Sequence, residues 1–190
     1  MKKIMFNDQM GLTRAVLDGD KTMTRRLEYV SAKSGVLACD IVGSVSEEQI
    51  DKEMTIKNAR YKVGEVIAIA QCYGDCGTCF FPTAEYGDMA GYTNKMFVKA
   101  DLMPHQIRIT NVKVERLQDI SDEDILKEGV SKVDFALKDR GSYSFKYKHK
   151  WYKQYHTARE AFAALIDKVS GNGVWVHNPW VIAYEFELVK

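Results

Sequence analysis

Between Leu17 and Glu28 the chain reads LDGDKTMTRRLE, which gathers one amine, two hydroxyls and two guanidiniums at a single junction. Lys21, Thr22, Thr24, Arg25 and Arg26 have Asp20 as their nearest acid before Glu28, with Asp18 two residues further back. Arg25 and Arg26 suit planar phosphate or carbonyl groups, because a guanidinium is a rigid fork of donors. Lys21 can serve as a base where burial and the adjacent guanidiniums lower its pKa. Thr24 can serve as a nucleophile where a base lies beside it. A solvated turn would carry the same residues, and composition alone weighs the two readings evenly. On a strand, Thr24 and Arg26 share a face and Lys21 has the opposite parity. Convergence of all three therefore requires a turn or bulge near Thr22–Met23.

Two further groups could do chemistry. CYGDCGTC places Cys72, Cys76 and Cys79 at the spacing with which radical S-adenosylmethionine enzymes hold an iron–sulfur cluster. Thr78 stands where those proteins usually carry an aromatic residue, and no glycine-rich methionine-binding motif follows. A zinc site would need Cys39 or a histidine as fourth ligand. The expectation is free thiols, no metal and no cofactor. In SFKYKHKWYKQYHTAR, Lys146, Lys148, Lys150 and Lys153 alternate with Phe145, Tyr147, Trp151, Tyr152 and Tyr155, and no acid lies between Gly141 and Arg159. Bases can stack on such rings while lysines neutralise phosphates. An edge strand that turns its lysines outward against aggregation reads identically.

The elements that must position these groups are legible in part. Residues 2–6 form a short strand, Asn7 or Asp8 caps a helix that runs to about Leu17, and Gly19 is a left-handed stop. From Tyr29 to Lys62 the pattern is weak, with a small helix capped by Ser46, and reads as an insertion or surface excursion. KVGEVIAIAQC is a strand whose continuous apolar run implies burial on both faces. Residues 72–100 form a long loop, which in compact domains is usually functional. In HQIRITNVKVERL the apolar parity changes between Ile109 and Val112, so a bulge or barrel corner falls near Thr110–Asn111. Ser121 caps the next helix with Asp124 as box partner, Ile120 and Ile125 as staple, and Gly129 at its end. Thr157 and Glu160 form a capping box, and Phe162, Leu165, Ile166 and Val169 make the stripe of the strongest helix. In the last strand Trp180, Ile182, Tyr184, Phe186 and Leu188 share one face. These elements define a single α+β domain with a small curled sheet or barrel.

At 190 residues, with 46% hydrophobic and 28% charged residues, the chain is long enough to bury a core without disulfides. A formal net charge of +1 supplies no global field for nucleic acid, so any such contact rests on local clusters. No apolar run of membrane-spanning length occurs, and MKKIMFNDQM lacks the apolar stretch of a signal peptide. The expected location is cytoplasmic, and the four cysteines are expected to be reduced.

GDKTMTRR resembles the Gly-x-Lys-x-x-Thr/Glu-x-Arg motif of the ASCH domain family, with Gly19, Lys21, Thr24 and Arg26 at its four positions. FNDQMGLTRAVLDGDKTMTRRL, YKVGEVIAIAQ, RITNVKVERLQDISDEDILKEGV and NGVWVHNPWVIAYEFELV resemble, in order, the blocks of ASCH-like proteins of phages and prophages, over about half of the chain. The resemblance implies a PUA-like β-barrel with flanking helices and a cleft that binds RNA or a modified nucleoside. One branch with a Thr motif is similar to small amidohydrolases that deacylate acetylcytidine. Their lysine, threonine and later-helix glutamate fall on Lys21, Thr24 and Glu128, a residue that by itself is only an acid late in a helix. On that pattern Lys21 takes the proton of Thr24, Thr24 attacks the amide carbonyl, Glu128 assists departure of the amine, and Arg25 or Arg26 stabilises the oxyanion. The phage-type relatives carry Glu-Thr-Trp where this chain reads Gln71-Cys72-Tyr73. The expected ligand contacts are Gly19, Arg25, Arg26, Gln71 and Trp175, with Trp180 nearby. Recognition of RNA or a nucleotide-like ligand, hydrolysis of an acylated nucleoside, and a non-catalytic interaction protein of a phage programme all stay open.

Overall fold

The computed structural model describes residues 1–33, 37–39, 45–76, 90–133 and 142–189. Its helices are α1 (Leu12–Leu17), α2 (Lys52–Asn58), α3 (Asp122–Lys127), α4 (Ala158–Ser170) and α5 (Val174–His177). Its strands are β1 (Lys3–Ile4), β2 (Met23–Arg26), β3 (Tyr29–Ser31), β4 (Leu37–Cys39), β5 (Val66–Ile69), β6 (Gln106–Arg116), β7 (Ser131–Lys132), β8 (Tyr143–Ser144), β9 (Lys146–Tyr147), β10 (Lys150–Trp151) and β11 (Trp180–Leu188).

Five strands form a mixed sheet in the order β1-β5-β6-β11-β2, parallel at β1–β5 and antiparallel elsewhere. Among the described residues β1 and β2 are its two edges, and the sheet does not close into a barrel. A side-chain link joins those edges, since the Arg26 guanidinium donates to the Met5 carbonyl just beyond β1. The long β6–β11 pair is the spine. Its register slips between Glu185 and Phe186, with Asn111 opposite the first and Ile109 opposite the second, so Thr110 is the extra residue of a bulge. This is where the change of apolar parity placed it.

Helices and loops cover both faces. On β5, Ile67 and Ile69 enter the main core with Ile107, Phe162 and Tyr184, whereas Ala68 and Ala70 pack with Tyr73, Val98 and Met103. The strand is buried on both sides, as its unbroken apolar run required. β11 departs from simple alternation: Val181 and Ala183 are as buried as Ile182 and Tyr184, and Leu188, at the frayed end, is exposed. Residues 29–62 are more than a surface excursion. Val30, Ile50, Ala59 and Tyr61 are core residues, and Thr55 accepts the backbone N–H of Ser31 at 2.7 Å. The period is weak there because short elements with few buried positions replace one long face.

Local signals fared unevenly at helix ends. Thr157 and Glu160 form a reciprocal capping box on α4, and Ser121 caps α3 through the Asp124 N–H. Asp124 does not reach back to complete a box. Its carboxylate is drawn instead to Arg25 and Lys113. α1 starts later than expected, with left-handed Gly11 at its N-terminus, and Asn7 and Asp8 shape the preceding turn instead. No helix among the described residues is long and apolar enough to cross a membrane.

Candidate functional site

The convergence of Lys21, Thr24 and Arg26 is built by a turn ahead of β2. The Lys21 N–H donates to Ala15 of α1 at 3.0 Å, and the Thr22 N–H donates to Lys127 of α3 at 3.0 Å. Lys21 is thereby taken off the strand path, and its amine returns to the Met23 carbonyl at 2.7 Å. Gly19, at φ 82°, makes the turn that leads out of α1. From Met23 onward β2 pairs with β11, Thr24 opposite Tyr184 and Arg26 opposite Ile182.

Glu128 comes from the end of α3, where Gly129 at φ 105° reverses the chain. At that φ any side chain is strained, and a Cβ at Gly129 would also lie 2.8 Å from Leu12 Cδ2, which would have to shift. Lys21 Nζ donates to Glu128 Oε2 and to the Glu128 carbonyl, each at 2.7 Å. With the Met23 carbonyl this occupies all three ammonium protons, and the Lys21 side chain is only 2% exposed. Burial lowers the Lys21 pKa, the Glu128 charge and hydrogen bond oppose that shift, and Arg26 and Arg25 add to it.

Lys21, Thr24, Arg25, Arg26 and Glu128 line one cavity of about 270 Å³, with Phe6 and Phe162 among its apolar walls. Two groups there are unspent. Among the described residues the Thr24 hydroxyl has no hydrogen-bond partner although the residue is buried. Arg26 Nε is buried without a partner, and its guanidinium lies 5.6 Å from the centre of the Phe6 ring. Burial also lowers the Arg26 pKa, with partial compensation from Tyr61, Glu128 and Glu28.

Arg25 behaves differently from the expected oxyanion or ligand contact. It donates to Glu115 at 2.8 Å, Asp124 at 3.1 Å and Glu128 at 3.0 Å, so its fork is consumed by three carboxylates. Lys113 closes the outer side of this cluster on Asp124 at 2.7 Å and Glu115 at 3.1 Å. Burial would raise the Asp124 pKa, but hydrogen bonds and charge from Lys113 and Arg25 bring it below the ordinary value. Sequence reasoning missed Lys113, Glu115 and Asp124 as parts of this site. The alternation of β6 marked Lys113 and Glu115 as sharing a face, but nothing local tied that face to β2.

Other expected residues lie apart from this cavity. Gln71 lines a second cleft of about 610 Å³ with Asp8, Thr13, Asp75, Lys148 and His149, and its side-chain oxygen is buried without a partner. Trp175 packs edge-on against Phe162 at 5.9 Å, behind the cavity wall. Trp180 is a core residue under Arg116, 4.6 Å from the ring centre. Val169, the last member of the α4 stripe, is exposed rather than buried with the others, and it joins Leu165 and Ile166 in the cavity lining.

The lysine-rich segment forms the β9–β10 hairpin, with Lys148 and His149 at its turn, both at positive φ. Its ammonium groups sit over its own rings: Lys146 over Trp151 at 5.7 Å, Lys148 over Tyr147 at 5.5 Å and Lys153 over Tyr152 at 5.6 Å. Trp151 is exposed. None of these lysines lines the cavity that holds Lys21.

Of the cysteines, Cys79 and the side chain of Cys39 lie outside what is described. Burial raises the thiol pKa of Cys72, with Asp75 adding to it, and raises that of Cys76 to about 11. Both are therefore protonated thiols at neutral pH. Among the described residues no group of three or more His, Cys, Asp or Glu side chains is arranged to hold a metal ion. Comparison with protein-family models, curated proteins and solved structures found no match to this chain.

Proposed function

We propose that this chain is an ASCH-type, PUA-like domain and that the Lys21–Thr24–Arg26–Glu128 cavity recognises a nucleoside-like ligand. The observation that carries the reading is that Thr24 and Arg26 line one cavity, the Thr24 hydroxyl without a partner among the described residues and the Arg26 guanidinium with its Nε unpaired. A ligand oxygen or amide that pairs with the open hydroxyl gains about 0.5–1.5 kcal/mol, the net worth of one hydrogen bond. The volume, about 270 Å³, lies at the small end of ligand sites and suits one base with its sugar more than an extended strand. Phe6 and Phe162 supply apolar walls for a planar ring. The Arg26–Met5 link between the sheet edges supports the barrel-like reading of the fold. Calorimetric titration with cytidine and with acetylcytidine tests the proposal. Saturable binding that Arg26→Met weakens by about tenfold is expected, and no heat from either compound would reject it.

Hydrolysis of the acyl group is the second reading, favoured by the free Thr24 hydroxyl in the same cavity as a buried lysine whose pKa is lowered. Thr24 Oγ1 would attack the amide carbon while Lys21 takes its proton, the amine would leave with a proton delivered through Glu128, and water would then cleave the Thr24 ester to release the acid and restore the hydroxyl. The three hydrogen bonds of Lys21 place this second, because its ammonium must first give a proton away before it can act as a base. Release of cytidine from acetylcytidine, followed by chromatography, decides it. Turnover that survives Thr24→Val would end the hydrolase reading.

A further inference from the structure

Arg25 is the only group among the described residues that joins the cavity carboxylate to the acidic cluster behind it. Glu128 gives one oxygen to Lys21 at 2.7 Å and the other to Arg25 at 3.0 Å. Beyond Arg25 stand Glu115 and Asp124, and beyond them the half-exposed Lys113. The side chains of Lys21, Arg25 and Glu128 are 5% exposed or less, so water cannot substitute for a lost partner. A carboxylate held by two cations on its two oxygens has one rotamer, whereas one held by Lys21 alone can rotate about the remaining bond.

We infer that Arg25 is a positioning residue, whose guanidinium fixes the Glu128 carboxylate and through it ties the Lys21 ammonium to the cavity floor. The role rests on the reading of this cavity as a ligand site, and it gives the two adjacent arginines separate duties: Arg26 faces the ligand and Arg25 sets the residues that shape its seat. An ammonium cannot replace Arg25, because a point donor cannot span three carboxylates as a planar fork does. Nor can Glu115, Asp124 or Lys113 perform this function, since none of them touches Glu128 or Lys21.

The state of Lys21 can be read without any ligand, through its reactivity toward acetic anhydride followed by mass spectrometry. In the parent protein Lys21 should label slowly, with the exposed Lys2 as internal standard. Arg25→Gln releases Glu128, deprives Lys21 of its fixed counter-ion and should raise Lys21 labelling at least about tenfold with Lys2 unchanged. Glu128→Gln should raise it similarly, and adding Arg25→Gln to that variant should change it no further, because the two act through one contact. A general loosening of the fold would instead make the two changes additive. Where Arg25→Gln fails to fold, Arg25→Lys serves, with an expected rise of about threefold. Unchanged Lys21 labelling in either folded variant, or additive effects with Glu128→Gln, overturns the inference. Cytidine and acetylcytidine titrations of the parent run alongside. Absence of binding there rejects the ligand reading alone, and the labelling result judges Arg25 independently.

Discussion

Lysine occurs at the floor of the cavity and along the β9–β10 hairpin, and the two regions treat the same side chain in opposite ways. Lys21 is enclosed and gives each of its three protons to an acceptor, one of them a carboxylate. Lys146, Lys148 and Lys153 have no carboxylate partner among the described residues and rest over aromatic rings 5.5–5.7 Å away. The difference follows from solvent. A buried charge must be satisfied completely or it costs several kcal/mol, whereas water satisfies an exposed one and leaves its stem free to cover apolar surface. The lysine of the cavity is therefore held by fixed partners, whereas those of the hairpin are satisfied by water and by their own rings. Ammonium groups lie over three of its rings, so a base stacking on those faces would have to displace them.

Breaking the cavity pair should have the largest effect. Glu128→Ala leaves Lys21 and Arg25 each short of an acceptor and should lower unfolding stability by about 3–5 kcal/mol in urea titrations. The quadruple Lys146/Lys148/Lys150/Lys153→Ala variant should leave that stability almost untouched. If Glu128→Ala proves as mild as the hairpin variant, the contrast between the regions is false.

Thr24→Val separates binding from folding within the cavity. The hydroxyl has no partner among the described residues, so stability should change by no more than about 0.5 kcal/mol. Affinity for cytidine should fall about tenfold, the worth of one hydrogen bond left unmade. An equal loss of stability and affinity would show that the hydroxyl serves the fold.

The pH dependence of stability sharpens the description of Lys21. Burial places its folded pKa below the ordinary 10.5. Between the folded value and 10.5 the unfolded chain binds more protons than the folded protein, so stability must rise with pH across that window. Lys21→Met should abolish this rise, measured as the difference in urea midpoint between variant and parent from neutral pH upward.

On the hairpin itself, any RNA affinity should be weak, and its salt slope should fall by about 0.7 for each phosphate contact removed by the lysine-to-alanine variant. An unchanged slope would exclude the hairpin as the contact surface. The smallest effect concerns its turn. Lys148 and His149 both hold positive φ, at 47° and 66°, where Asn-Gly is the preferred pair. Lys148→Asn with His149→Gly should raise stability by about 1 kcal/mol in thermal melts, without altering cytidine binding.

Features set by near neighbours in the chain were legible from sequence. The capping box of α4, the Ser121 cap, the turn at Gly19 and the Thr110 bulge each depend on residues a few positions apart, and the energies that favour them are local. The parity of Lys21 against Thr24 and Arg26 even required the turn ahead of β2 that the fold supplies. Residues 29–62 were less legible, because no single periodic face carries their burial. Asp124 was misread as a capping partner, since a nearby pair of cations outweighs one backbone N–H in a competition that sequence spacing does not display.

Only the tertiary structure decided what the two arginines do. Arg25 and Arg26 are chemically identical and adjacent, and although strand parity sets Arg26 with Thr24, nothing local says which partners each will meet. Folding brings Glu128, 103 residues further along the chain, to Arg25, with Glu115 and Asp124 beside it, and leaves Arg26 Nε without a partner at the cavity wall. On a strand, neighbouring side chains point to opposite sides, so the chain dictated that the two would diverge. Which of them met three carboxylates and which kept an unpaired Nε depended on the approach of β6 and the end of α3, and long-range packing alone sets that approach.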